Sequence, residues 1–81
     1  MSVAVTVLYF ASLRERAGIA QETWRSTATD LAGLYDELAA HHGLDWPRTQ
    51  LRVAVDGAFV DWQQPLREGN EIVFIPPVSG G

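Results

Sequence analysis

The 81-residue chain contains no cysteine, and all six of its cations are arginine, so it also contains no lysine. Without cysteine it can form no disulfide and offers neither a thiolate ligand nor a thiol nucleophile. Without lysine it has no side-chain amine for a Schiff base or an isopeptide bond, although a genome rich in arginine codons explains that absence equally well. Any sulfur chemistry in this protein would therefore need a carrier atom other than a thiol.

Positive charge is also scarce, because ten acidic residues give a net charge of −4 and a pI of about 4.9. An acidic chain is a poor partner for nucleic acid and a better one for a basic protein surface. No apolar run reaches the roughly 20 residues of a membrane span, and the N-terminus lacks the order of a signal peptide. We expect a cytoplasmic protein that binds neither nucleic acid nor membrane.

Four stretches rich in β-branched and aromatic residues predict strands, and a fifth, shorter strand follows an Asp-Gly turn signal. The first stretch is apolar at both alternating sets of positions, which predicts a central strand covered on both faces. The second is expected to pair with the first as a hairpin. The predicted strands are Val3–Phe10, Gln21–Ser26, Leu51–Val55, Ala58–Trp62 and Glu71–Ile75.

One long helix is predicted from an apolar stripe at helical spacing that ends at Gly43. The stripe consists of Leu31, Leu34, Tyr35, Leu38 and Ala39. Thr27 and Thr29 are the N-cap candidates, with Asp30 in the first turn. A shorter helical turn is expected over residues 11–18.

These elements predict a two-layer α+β domain in which one mixed sheet packs on one main helix. The first and last strands are the most apolar and are therefore expected to be neighbours at the sheet centre. That arrangement is the β-grasp, or ubiquitin-like, fold. We assign residues 1–75 to this domain and residues 76–81 to a flexible C-terminal diglycine tail.

The side chains offer no self-sufficient active site and no metal site. His41 and His42 are adjacent on a helix and point about 100° apart, so they do not converge as an i, i+4 pair would. Asp36 and Glu37 are interpreted as a solvated helix face. There is no glycine-rich loop for phosphate.

The most informative segment is the end of the sequence, where an apolar strand leads into Pro76, Pro77, Val78, Ser79, Gly80 and Gly81. Proline favours an extended stem, and glycine can enter a channel too narrow for other residues. Residues 76–81 reach at most about 20 Å when fully extended. The α-carboxylate of Gly81 could be activated by ATP as an acyl-adenylate and captured by a sulfur or amine nucleophile. The alternative is a loose chain end without a role.

Three blocks of this sequence carry a resemblance to a known family: residues 7–18 (VLYFASLRERAG), residues 53–56 with 65–72 (VAVD and PLREGNEI), and residues 74–81 (FIPPVSGG). They resemble the small-subunit family of molybdopterin synthase, also called molybdopterin converting factor subunit 1, whose members are ubiquitin-like sulfur carriers. The last block is the most specific. Residues 19–50 match only in pattern.

The resemblance implies a carrier with no bound cofactor that is not an enzyme on its own. An ATP-dependent activating enzyme would adenylate Gly81, and a sulfur donor would convert it to a thiocarboxylate. The tail would then insert into the large subunit of the synthase and give its sulfur to cyclic pyranopterin monophosphate. Because two sulfurs are needed, a heterotetramer with the large subunit is implied.

By the same resemblance, Phe10, Phe59 and Ile75 fall where the family buries apolar side chains against its partners, and Arg14 falls where it has an arginine. Core packing is the alternative for Phe10 and Ile75. Three other functions stay open at this point: a carrier for another pathway such as thiamine synthesis, a ubiquitin-like protein modifier, and a plain interaction module.

Overall fold

The computed structural model describes residues 1–77, so the predictions for Val78, Ser79, Gly80 and Gly81 lie outside the described residues. Within these residues two strands are each followed by a helix, and three further strands come after a short 3₁₀ turn at Arg48–Gln50. The strands are β1 (Val3–Tyr9), β2 (Gln21–Ser26), β3 (Arg52–Val55), β4 (Ala58–Val60) and β5 (Glu71–Ile75), and the helices are α1 (Ala11–Ala17) and α2 (Leu31–His42). All the predicted elements are present.

The five strands form one mixed sheet in the order β2-β1-β5-β3-β4. β1 and β5 are parallel neighbours at the centre, and every other pairing is antiparallel. The predicted adjacency of the first and last strands is therefore confirmed. β2 pairs with β1 as expected, although α1 stands between them in place of a tight turn.

The turn between β3 and β4 has the geometry that its Asp-Gly sequence predicts. Asp56 and Gly57 both have positive φ, at 51° and 91°, as a two-residue type I′ turn requires. The Asp56 carboxylate also accepts hydrogen bonds of 2.9 Å from the backbone N–H of Glu71 and the side-chain amide of Asn70. The turn is thereby tied to the start of β5.

The apolar stripe of α2 faces the sheet, where Leu31, Leu34 and Leu38 are fully buried and Tyr35 nearly so. The predicted threonine caps are wrong, since Asp30 is the N-cap and its carboxylate accepts from the N–H of Gly33 at 2.9 Å. The helix begins at Leu31, two residues beyond Thr29, so neither threonine lies at the capping position. Gly43 ends the helix in the left-handed conformation, as predicted.

The two faces of the sheet are covered unequally. On β1 the side chains of Val5, Val7 and Tyr9 are buried on the side of α2, whereas Thr6 and Leu8 on the other side are half-exposed. The prediction that β1 is covered on both faces is therefore wrong. We call the side packed on α2 the covered face and the opposite side the open face.

Candidate functional site

The chain leaves the sheet at its centre. The last residue of β5, Ile75, is the register partner of Arg52 at the start of β3, and Phe74 pairs with Tyr9 at the end of β1. Pro76 is buried and Pro77 is exposed, so packing continues for one residue beyond β5. The C-terminal segment therefore starts at the end of the central strand, beside the last residue of β1 and the first residue of β3.

Apolar side chains cross the open face in one row. Leu8 pairs with Val73, Val73 with Ala54, and Ala54 with Phe59, so the row spans four adjacent strands in register. Phe59 at the outer edge is 59% exposed. A row of this kind on an uncovered face is characteristic of a surface that binds a partner.

Three of the four predicted interface residues lie near this row and the chain exit. Phe59 belongs to the row, and Ile75 is half-buried at the end of β5. Phe10 directly follows β1 and is 49% exposed, so core packing does not account for it. The fourth residue, Arg14, is exposed on α1. The side chains of all four can reach a partner, while their roles at an interface stay predictions.

The corner between β1 and α1 holds a backbone conformation that the sequence does not reveal. Ala11 has φ of 51°, in the left-handed region that residues with a Cβ rarely adopt. The carbonyl of Phe10 accepts from the backbone N–H groups of Leu13 and Arg14, which begins α1 immediately after the corner. The abrupt change of direction places Phe10 on the surface beside the end of β1.

A polar network below this corner was missed by sequence reasoning. The hydroxyl of Tyr9 donates to Oε2 of Glu22 at 2.6 Å, and Nε2 of His42 lies 2.6 Å from the same oxygen. Burial alone would raise the pKa of Glu22, but the hydrogen bonds from Tyr9 and His42 and the nearby histidine charges outweigh it and lower that pKa. Burial, with Glu22 adjacent, raises the pKa of Tyr9. The network joins β1, β2 and the last turn of α2.

Asp36 and Glu37 were interpreted as a solvated helix face, which holds for the exposed Asp36 but is wrong for the half-buried Glu37. Glu37 accepts from the Trp24 indole at 3.1 Å and from the Ser26 hydroxyl at 2.7 Å, and Asp36 lies 3.7 Å from Arg48. Within residues 1–77 no group of three potential metal-ligating side chains occurs. Over the same residues no helix is both long enough and apolar enough to cross a membrane.

Arg52, like the polar network, was not among the residues predicted from the sequence. Its guanidinium carbon lies 4.6 Å from the centroid of the Phe59 ring, a cation–π contact on the open face. The alternation of Leu51, Arg52 and Val53 was the available signal, because it places the arginine on the face opposite the buried Val53. Nothing in the local sequence indicates the partner ring, which belongs to the next strand.

Comparison with known proteins gives the family. The ThiS family model matches residues 7–81. The molybdopterin synthase sulfur carrier subunit of Homo sapiens is 39% identical over 83 residues, covering 95% of this chain and 93% of that protein. The corresponding protein of Chlamydomonas reinhardtii is 36% identical over 83 residues, covering 95% and 98%.

Solved structures agree with the fold. A putative molybdopterin converting factor subunit 1 from Pyrococcus furiosus aligns with a TM-score of 0.78 at 27% identity, covering 94% of this chain and 99% of that one. A complex of subunits 1 and 2 of the molybdopterin-converting factor from Helicobacter pylori contains a chain with a TM-score of 0.66 at 29% identity, covering 98% and 100%. A ubiquitin from Caldiarchaeum subterraneum, 13% identical with a TM-score of 0.66, covers 100% of both chains and shows the same β-grasp fold. The chain belongs to the ThiS family, and within it to the family of molybdopterin synthase sulfur carrier subunits.

Proposed function

We propose that this protein is the sulfur carrier subunit of a molybdopterin synthase and that its C-terminal residue, Gly81, carries the sulfur. The observation that carries the proposal is the family membership, since relatives of this name match nearly the whole length of the chain. The chemistry of the chain is consistent with it. A protein without cysteine has no thiol to bear sulfur, whereas a terminal carboxylate can be converted to a thiocarboxylate.

The proposed activation has two steps. A carboxylate oxygen of Gly81 attacks the α-phosphorus of ATP in the activating enzyme, and pyrophosphate leaves. A hydrosulfide-level donor then attacks the acyl carbon, AMP leaves with the bonding electron pair, and the thiocarboxylate remains. Adenylation supplies the leaving group that a carboxylate lacks, so one difficult substitution becomes two easier ones.

In the proposed transfer, Pro76 to Gly80 lead the tail into the large subunit, where the sulfur passes to cyclic pyranopterin monophosphate. Water then releases Gly81 as a carboxylate. The position of the chain exit supports this path, because β5 ends beside the open face. Docking of that face through Phe10, Phe59 and Ile75, with Arg14 contributing from α1, would hold the start of the tail against the partner. Two carriers on a dimer of large subunits would supply both sulfurs.

The test is the intact mass of the full-length protein after incubation with ATP, the activating enzyme and inorganic sulfide. We expect a gain equal to the exchange of one oxygen for one sulfur, localised to Gly81 by fragmentation. A variant without Gly81 is the matched control and should keep the wild-type circular dichroism while gaining no sulfur. An unchanged wild-type mass with an activating enzyme that sulfurates its own carrier would contradict the proposal.

The acceptor is tested separately. The thiocarboxylated protein, mixed with the large subunit and cyclic pyranopterin monophosphate, should produce molybdopterin and return to the carboxylate mass. Productive transfer only to an enzyme of thiamine synthesis would indicate the other pathway. Conjugates of higher mass in cells, lost when Gly81 is deleted, would indicate a protein modifier.

A further inference from the structure

The contact between Arg52 and Phe59 lies on the open face, outside the hydrophobic core. Both side chains are exposed, and the structure records neither a hydrogen bond nor an ion pair for the Arg52 guanidinium among residues 1–77. Three other arginines are engaged: Arg16 pairs with Asp45 at 2.9 Å, Arg48 lies 3.7 Å from Asp36, and Arg25 donates to Ser2. Among residues 1–77, Arg52 is thus a positive charge for which the fold records no polar partner.

The position of Arg52 connects it to the chain exit. It is the first residue of β3 and the register partner of Ile75, after which the chain continues into Pro76. The side chain lies on the open face beside the apolar row and contacts Phe59, the outermost residue of that row. A group docked on that row while the tail is inserted would therefore meet Arg52.

The chemistry of the guanidinium group determines what Arg52 can bind. Its planar fork of N–H donors matches a carboxylate, which can accept two parallel hydrogen bonds. The guanidinium carbon lies 4.6 Å from the centroid of the Phe59 ring, and this contact restricts the side chain before any partner binds. Less side-chain freedom is therefore lost on binding.

We infer that Arg52 is a specificity-determining residue of the carrier, whose guanidinium, in contact with the Phe59 ring, binds a carboxylate of the synthase large subunit at the rim of an apolar pocket that receives Phe59. The inference rests on the proposed function. Charge placement supports it, since a positive group on a carrier of net charge −4 fixes where a partner carboxylate docks and in which orientation. Asp61 lines the same shallow depression beside Phe59, but no ion pair joins it to Arg52.

Calorimetric titration of the purified large subunit with the full-length carrier tests this inference. We expect Arg52→Glu to weaken binding by about tenfold or more, because the reversed charge faces the partner carboxylate without a counter-ion. Arg52→Lys should lose about threefold to tenfold, since it keeps the charge but lacks the planar fork. The affinity of the wild type should also fall more steeply with added salt than that of Arg52→Glu.

Arg67→Glu is the matched control. Arg67 is exposed, has no recorded side-chain partner among residues 1–77, and lies in the turn before β5, at the opposite end of the sheet. The same change in net charge there should alter the affinity by less than about twofold. Circular dichroism and urea unfolding of each variant establish that the domain stays folded.

Three outcomes would overturn the inference. One is wild-type affinity for Arg52→Glu, and another is an equal loss for Arg52→Glu and Arg67→Glu, which would indicate net charge alone. The third is unchanged affinity for the large subunit with weakened binding of the activating enzyme or self-association, which would assign Arg52 to another contact. If the wild type itself fails to bind the large subunit, the proposed function fails together with the inference.

Discussion

The two faces of the sheet are built from the same strands, yet they differ in what their apolar side chains do. On the covered face, Val7 and Ile72 lie against the stripe of α2 and are completely buried. On the open face, Leu8 and Val73 alternate with them in sequence but stay half-exposed, and Phe59 is mostly exposed. The covered face already gives the domain a continuous core, so the apolar area on the open face is surplus to folding and available for binding.

Truncation of a leucine to alanine should lower the free energy of unfolding by different amounts on the two faces, and this is the largest effect we expect. Leu34→Ala on α2 should lower the free energy of unfolding by about 3 kcal/mol, because it leaves a cavity in a fully buried site. Leu8→Ala removes the same atoms from the open face and should cost about 1 kcal/mol or less. Urea unfolding of both variants gives the values, and equal costs would mean that the two faces contribute alike to the core.

Phe59→Ala should show the opposite pattern, with the larger effect on binding. Loss of this exposed anchor should weaken the affinity for the large subunit by about tenfold or more. The free energy of unfolding should fall by only about 0.5–1 kcal/mol, mainly through the lost contact with Arg52. Calorimetric titration and urea unfolding measure the two effects.

A matched control for Phe59→Ala lies at the other edge of the sheet. Thr23 on β2 is exposed and pairs with Thr6, so it is on the same face but away from the apolar row. Thr23→Ala should leave the affinity within about twofold of wild type. If Thr23→Ala and Phe59→Ala bind equally well, the apolar row is not the docking surface.

The difference between the faces also explains what the sequence could and could not predict. Periodicity and turn signals were sufficient for the strands, for the stripe of α2 and for the Asp-Gly turn, because these depend on neighbouring residues. The partial exposure of Leu8 was not predictable from the sequence, since a leucine on an open sheet face and a leucine in a core are the same residue type. Phe59 was expected at a partner interface only through the family resemblance; its side chain is 59% exposed, and its role at an interface stays a prediction.

Other parts of the candidate site depend on contacts between distant segments. Tyr9, Glu22 and His42 come from three elements, and their convergence on one oxygen follows only from the tertiary fold. The choice of Asp30 as N-cap depends on the loop after β4, where the carbonyls of Gln64 and Trp62 accept from the next two N–H groups of α2. The local pattern offered two threonines as the cap and placed Asp30 inside the first turn, because the contacts with the loop after β4 are not visible in the sequence.

The Tyr9–Glu22–His42 network joins β1, β2 and α2 at one edge of the covered face. It should make the stability of the domain depend on pH. The pKa of Glu22 is lowered by folding, so its contribution is complete above the unfolded value of about 4.3 and is lost as the pH falls through the folded value. Glu22→Gln should therefore lower the free energy of unfolding by about 1–2 kcal/mol near pH 7. That difference from the wild type should shrink towards pH 3, as measured by urea unfolding across the pH range.

The control for this prediction is Glu15→Gln on the exposed surface of α1, where no hydrogen bond or ion pair is recorded among residues 1–77. Its difference from the wild type should be small and nearly constant with pH. A constant difference for Glu22→Gln as well would show that the carboxylate acts through packing and not through its charge. In that case the network would be a structural contact without a titrating role.

The smallest predicted effect is at the corner that leads from the covered Tyr9 to the exposed Phe10. Ala11 has positive φ, and glycine adopts that conformation without a Cβ clash. Ala11→Gly should raise the free energy of unfolding by about 0.5 kcal/mol, since relief of strain exceeds the entropy that glycine adds to the unfolded chain. Ala40→Gly, at an exposed position of α2, should instead lower it by about 1 kcal/mol.

The two alanine variants separate strain from ordinary helix propensity, because the substitution is the same and the expected signs are opposite. If both destabilise the protein equally, Ala11 contributes as a helical residue and its backbone stores no strain. If Ala11→Gly stabilises the fold yet weakens the affinity for the large subunit, the conformation of Ala11 serves to fix Phe10 in position. The strained backbone of Ala11 would then lower the stability of the domain while it holds the Phe10 side chain in position for a partner.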